Sequence, residues 1–167
     1  MLSELPTIIL KTFLFSLLLP GSVTIGIPYL LLISEWRLIY DIGNFKFIGV
    51  IPIAIGLVFY ILTSWDFAAT GKGTPAPIDA PKVLVSKRLY RLTRNPMYIA
   101  VLLVLVGEAI FFVSLTLLIY AMLIWSLFHL FIIYYEEPRL RREFGTMYQE
   151  YCKVVPRWIP NFKRIHG

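Results

Sequence analysis

Residues 97–135 read MYIAVLLVLVGEAIFFVSLTLLIYAMLIWSLFHLFIIYY, and the fold turns on how this stretch is divided. Glu108 is its one carboxylate and His129 its one imidazole; everything around them is apolar, aromatic or small. As one helix its 39 residues would measure roughly 58 Å, nearly twice the bilayer's hydrocarbon core of about 30 Å. Two spans are therefore expected, turning near Ser114-Leu115-Thr116. No polar linker separates them, so they form a tight hairpin whose outer ends return to one side of the membrane.

The chain upstream supplies two more apolar runs. Pro6 to Ile33 is broken only by Lys11 and by Pro20-Gly21. At roughly 42 Å of helix it exceeds the core thickness, which predicts a tilted span kinked near Pro20. Ser34 to Asn44 is a polar connection with the interfacial aromatics Trp36 and Tyr40. Phe45 to Thr63 forms the second span, continuing as helix to about Thr70. Gly71 to Ala80, GKGTPAPIDA, is a Pro/Gly loop. Its GxG pair lacks the third glycine and the preceding strand of a dinucleotide fingerprint. Pro81 to Arg94 is basic, with Lys82, Lys87, Arg88, Arg91 and Arg94 and no acid.

Downstream of Glu136-Glu137-Pro138 the pattern changes. Leu140, Phe144, Tyr148 and Tyr151 recur at helical spacing with Arg139, Arg141, Arg142 and Glu143 between them. This is an amphipathic helix at headgroup level, followed by a short basic tail, Val154 to Gly167. The expected fold is an all-α integral membrane helical bundle of about four transmembrane helices plus this C-terminal amphipathic interfacial helix. It forms a single membrane domain over 1–167. The two N-terminal spans occupy 1–70, a basic loop 71–96, the hairpin 97–135, and the amphipathic helix and tail 136–167.

Composition agrees. Apolar residues make up 58% and charged residues 16%, against about 45–50% and about 25% in soluble domains. Mean hydropathy is +0.74. These values exclude a disordered chain, a collagen-like repeat and a disulfide scaffold, and they argue against a soluble enzyme. Net charge is +6, and 13 of the 16 Lys and Arg residues lie from Lys72 onward, in the loop and the tail. By the positive-inside rule that face is cytoplasmic, and four spans put both termini there. The corresponding membrane is the inner membrane of a bacterium or the endoplasmic reticulum of a eukaryote. The start, MLSELPTIIL, has no basic n-region and reads as a retained membrane helix. One cysteine, Cys152, and two distant histidines cannot close a metal site. No metal and no nucleic-acid partner is expected.

Three polar features are candidates for chemistry: Arg94-Asn95-Pro96-Met97-Tyr98 where the basic loop meets the third span, Glu136-Glu137 at the end of the fourth, and Glu108 with His129 inside the hairpin. The hairpin brings the first two to one membrane face, and bundled helices lie about 8–10 Å apart. Arg94, Asn95 and Tyr98 can thus converge with Glu136 and Glu137 on a cavity open to water on one side and to lipid on the other. Taken singly, Arg94 and Tyr98 also fit interfacial anchors, and the glutamates a solvated helix end. Two adjacent acids at a helix C-terminus oppose the macrodipole, however, and call for a cationic partner. A carboxylate at mid-bilayer costs about 2.5–3.5 kcal/mol on insertion scales. Glu108 is therefore either bonded to His129 across the hairpin, holding it together, or catalytic.

Tyr90-Arg91, the run RNPMY at 94–98, the tight hairpin, YEEP at 135–138, FGTMYQEY at 144–151 and VPRWIP at 155–160 follow in order. This order and spacing resemble the isoprenylcysteine carboxyl methyltransferase and phospholipid methyltransferase superfamily of integral membrane enzymes, above all its small bacterial members. The resemblance covers roughly Gly71 to Pro160. It implies methyl transfer from S-adenosylmethionine at the cytosolic face, with the cofactor in a pocket closed by the last two spans and the C-terminal segment. By the same resemblance Arg94, Asn95, Pro96 and Tyr98 would line that pocket. Gly107 would let its helix approach the cofactor closely, and Glu136 and Glu137 would face its cationic groups. Arg157 would meet an anionic group of cofactor or substrate and, with Glu108 and His129, completes the candidate catalytic set. Where the isoprenylcysteine enzymes usually have His after the motif's Arg, this chain has Asn95, which can neither serve as a base nor carry charge.

The implied acceptor is lipophilic, either an isoprenylcysteine-type (prenylated) carboxylate or a lipid headgroup drawn from membrane lipids. A carboxylate needs no base and is oriented by an Arg. An amine must lose a proton, which would involve His129 or a glutamate. The competing readings are an NADPH-dependent relative of sterol reductases and a non-enzymatic membrane scaffold or accessory protein.

Overall fold

The computed structural model describes residues 5–34, 43–71 and 83–161. The Trp36 and Tyr40 connection, the GKGTPAPIDA loop beyond Gly71, Lys82 and the last six residues of the tail lie outside the described residues. Within them the fold is a bundle of long apolar helices, as the hydropathy pattern requires.

The first rod runs through α1 (Leu5–Gly21), a π-helical stretch Ser22–Gly26 and α2 (Ile27–Ile33). The break expected at Pro20 takes the form of this π stretch. Pro20 has no N–H to give the Ser16 carbonyl one turn back; where the π stretch begins, Thr24 Oγ1 donates to the Pro20 carbonyl at 2.8 Å and Ser22 Oγ to the Leu19 carbonyl at 2.9 Å. The second rod is a 3-10 turn Gly43–Gly49, α3 (Val50–Asp66) and a π stretch Phe67–Gly71.

The hairpin is α4 (Pro96–Phe111) and α5 (Leu115–Phe131). Pro96 sits at the first helical position, where its fixed φ helps and its missing N–H costs nothing. The turn is Phe112–Ser114, slightly earlier than expected. Ser114 caps α5 by accepting the Leu117 N–H at 3.3 Å. At 16 residues, α4 is about 24 Å long. It is apolar but shorter than the other three helices, each long enough to cross a bilayer.

The end of the chain departs from the expected separate amphipathic helix. Helix continues from α5 through a π turn, Ile132–Glu136, into α6 (Glu137–Val154). The break comes instead at Gly145, whose φ of 52° and ψ of −127° suit only glycine.

Glycines hold the bundle together. A Cβ on Gly49 would lie 2.4 Å from the Gly107 carbonyl, and one on Gly56 would lie 2.6 Å from the Ala100 carbonyl. So α3 and α4 touch backbone to backbone, the small-residue packing of membrane helices. On its other face α4 sends Val101 and Leu105 against Tyr120, Ala121 and Ile124 of α5. The Tyr120 hydroxyl then donates to the Val23 carbonyl at 3.0 Å, fastening α5 to the first π stretch. The outward faces carry exposed Leu17, Leu18, Ile61, Met122 and Leu123. So much exposed apolar surface is what a lipid solvent demands of an integral membrane protein.

Candidate active site

The ends of α3, α5 and the start of α4 meet at one end of the bundle, and a cleft opens among them. Its apolar wall includes Phe67, Leu84, Val85, Phe131 and Ile132. Its polar wall comes from the motifs on the two arms of the hairpin, Arg94, Asn95 and Tyr98 facing Glu136 and Glu137. The convergence expected from the hairpin topology is present.

Each side chain is placed by local structure. A 3-10 turn at Arg88–Arg91 buries Tyr90, whose ring meets Phe67 edge-on at 5.7 Å. Tyr98, one turn into α4, packs on Phe128 at 4.8 Å between centroids and donates its hydroxyl to Glu136 Oε2 at 2.6 Å. The bend at Gly145 turns the second half of α6 back toward the loop, where the Tyr151 hydroxyl donates to the Tyr90 carbonyl at 2.6 Å.

The two glutamates have different employments. Glu137 is the centre of an ion-pair cluster. Arg157 holds it with two parallel bonds of 2.7 and 3.0 Å, Arg94 Nη1 lies 3.1 Å from Oε1, and Arg141 Nη2 lies 3.7 Å from Oε2. Helix runs on through this point, so there is no helix C-terminus to compensate; the cluster instead supplies the cations that a buried carboxylate requires. The bond to Glu137 in turn raises the pKa of the Arg157 guanidinium above its ordinary value. Glu136 is bonded by Tyr98, has no salt bridge with an Arg among the described residues, and lines the cleft.

Arg94 also donates from Nη1 to the Cys152 sulfur at 2.9 Å, while its Nε is buried without a hydrogen-bond partner. Asn95 does not cap α4 with its side chain; its Nδ2 donates to the Arg157 carbonyl at 3.0 Å.

The other candidates lie elsewhere. Pro96 starts α4 and is buried beside the cleft without lining it. Arg157 stands behind the cleft wall, reaching it through Glu137. Gly107 faces α3, with Gly49 and Ile53 where the cofactor was expected. Glu108 and His129 do not pair. Counted from the turn at Val113, one lies five residues back and the other 16 forward, so their heights differ by about 16 Å. His129 Nδ1 instead accepts the Trp158 Nε1–H at 3.0 Å, and Glu108 Oε2 is buried without a hydrogen-bond partner. Neither lines the cleft. Among the described residues no cluster of His, Cys, Asp and Glu could hold a metal ion.

The sequence pattern does not single out Tyr90, Tyr148 and Tyr151 as site residues, nor Thr93, which binds the tail. Tyr148 and Tyr151 belong to an amphipathic stripe by their spacing, and only the Gly145 bend brings them beside Tyr90.

With the geometry in view, residues 45–147 match the family model for phospholipid methyltransferases, which covers more than half of the chain. The chain belongs to the phospholipid methyltransferase family. Comparison with curated proteins and with solved structures gave no match. The family match begins in the second rod, earlier than the resemblance through Gly71 to Pro160, and ends before VPRWIP. It therefore takes in α3, which contributes Phe67 to the cleft through its π extension, and leaves out the tail that braces the cleft from behind. As a family member the protein is a membrane methyltransferase.

Proposed function

We propose that the protein transfers a methyl group from S-adenosylmethionine to a lipophilic acceptor at the cytosolic membrane face. The observation that carries this reading is the pairing across the cleft: Tyr98 bonded to Glu136 and Arg94 to Glu137, under a wall of aromatic rings.

The donor set suits the cofactor. A sulfonium and an ammonium are attracted by carboxylates and by aromatic faces, which Glu136 and the surrounding Tyr and Phe side chains provide. A carboxylate needs N–H donors, and the unpartnered Nε of Arg94 is one. When bound, S-adenosylmethionine supplies an electrophilic methyl group, and the chain's residues do the rest. Glu136 and Arg94 orient, Tyr98 fixes Glu136, and Phe67, Phe131 and Ile132 exclude water. Positioning and dehydration are the main aids to an in-line displacement.

The acceptor reaches the cleft from the lipid side, past Phe131 and Tyr135. It is a lipid headgroup or an isoprenylcysteine-type carboxylate. The cytosolic assignment rests on the basic loop and tail, which hold 13 of the 16 Lys and Arg residues together with α6.

Calorimetry on detergent-purified protein tests the reading. S-adenosylhomocysteine should bind, and Glu136→Gln and Arg94→Ala should each weaken it. Unchanged affinity in both variants overturns the site, and no binding by the intact fold overturns the cofactor. Methyl incorporation from labelled S-adenosylmethionine into a headgroup-amine lipid or into a farnesylated cysteine then decides the acceptor.

A further inference from the structure

Residues 155–161 leave α6 and pair with the loop before α4. The Arg94 N–H donates to the Pro156 carbonyl and the Asn161 N–H to the Leu92 carbonyl, both at 2.9 Å. Between these rungs the Arg157 carbonyl accepts from Thr93 Oγ1 at 2.9 Å and from Asn95 Nδ2 at 3.0 Å. The segment is a strap tied along its length to the loop that forms one cleft wall.

Two successive side chains of the strap reach the opposite wall. Arg157 takes Glu137 with its paired bonds, and Trp158 donates Nε1–H to His129 Nδ1 at 3.0 Å. An indole N–H only donates, so Nδ1 accepts and the imidazole proton sits on Nε2. The imidazole is further fixed by stacking, with Trp125 at 5.5 Å on a 20° plane angle and Trp158 at 6.1 Å on 30°.

These two anchors bracket the π turn. His129 precedes Ile132–Glu136 and Glu137 comes directly after it. The π turn carries Glu136 toward Tyr98. Relaxing it to α-helix removes one residue's worth of extra winding and rotates α6 by about 100° relative to α5. A strap tied to both sides at adjacent residues resists that rotation.

We propose that Trp158 and His129 are positioning residues: with the Arg157–Glu137 pair they splint the π turn and so hold Glu136 in the cleft. Neither touches the cleft. Their effect on ligand binding rests on the cofactor reading above; their effect on the π turn does not.

Hydrogen exchange on the full-length protein in lipid nanodiscs tests the splint. Trp158→Phe keeps an aromatic ring and removes the N–H; His129→Leu removes the acceptor; His129→Asn retains an acceptor near Nδ1. In the first two, amides of 131–137 and 155–161 should exchange about five-fold faster, the ratio that one net hydrogen bond supplies. Amides of the α3–α4 seam should be unaffected, and His129→Asn should restore wild-type rates. Unchanged exchange in 131–137 overturns the proposal, even where 155–161 loosens, and so does failure of His129→Asn to rescue. S-adenosylhomocysteine affinity should fall several-fold in Trp158→Phe and recover in His129→Asn; retained affinity with a loosened π turn overturns the link to Glu136. A wild-type protein that binds no S-adenosylhomocysteine removes the cofactor reading, and the exchange result still decides the splint.

Discussion

Replacing Gly107 by alanine separates helix packing from cofactor approach as the reason for a glycine there. A Cβ at that position would lie 2.6 Å from Ile53 Cγ1, 2.7 Å from the Gly49 carbonyl oxygen and 2.9 Å from the Ile53 nitrogen. Comfortable contacts lie near 3.5–4.0 Å, so α3 and α4 must part by about 1 Å along part of their seam. Overpacking costs about 1–3 kcal/mol, and with two of the three atoms on the backbone the upper half of that range applies. Alanine's better helix propensity returns about 1 kcal/mol. The net expectation is a loss of about 1–2 kcal/mol. Thermal unfolding in detergent should register it as several degrees, at ~2–4 °C per kcal/mol for a chain of this size. Adding Ile53→Ala should recover only part, because the Gly49 carbonyl remains in the way. S-adenosylhomocysteine affinity of the folded fraction should be unchanged, since Gly107 does not line the cleft. Wild-type stability with lost affinity would refute the packing account and return Gly107 to the cofactor.

Substitutions at other positions probe the cleft and its surroundings. Glu137→Gln should cost about 2–3 kcal/mol, below the 3–5 kcal/mol of a fully buried broken pair because Arg157 is 30% and Arg141 58% exposed. Its combination with Arg157→Gln, measured by the same unfolding assay, should cost clearly less than the sum. Tyr98→Phe keeps the ring on Phe128 and removes the bond to Glu136; it should cost about 1–2 kcal/mol and lower S-adenosylhomocysteine affinity in calorimetry. Tyr134→Phe, at a residue 78% exposed, should change neither quantity. Gly145→Ala forces a side chain into a backbone region worth about 1–3 kcal/mol of strain. Limited proteolysis should then cut α6 near residue 145 faster than in wild type.

The division of the long apolar run was legible because span length is set by bilayer thickness, and the turn lies within two residues of the place expected. The meeting of Arg94, Asn95 and Tyr98 with Glu136 and Glu137 followed from topology alone, since a hairpin returns its outer ends to one level. What escaped was everything that depends on which face meets which neighbour. Gly107 is small for the sake of α3, and nothing in the hairpin's own sequence names that partner. The supposed Glu108–His129 bond ignored height along the hairpin, which a residue count from the turn supplies. The motifs make a ligand of Arg157, yet it holds Glu137 from behind the cleft wall. The π turn at Ile132–Glu136 has no periodic signature, so the unequal roles of the two glutamates were out of reach.

The shortness of α4 has a bearing on substrate capture. Its roughly 24 Å leaves about 6 Å of a standard 30 Å core unmatched, and such a deficit is met by local thinning or by recessing a helix end below the headgroups. The cleft lies at the end where α4 begins. Both adjustments bring the cleft and the polar heads of neighbouring lipids to a common depth, so that under the proposed methyl transfer a lipid acceptor would not need to leave its leaflet. On that proposal turnover would become a function of acyl-chain length in the surrounding bilayer, and the membrane itself would act as part of the specificity.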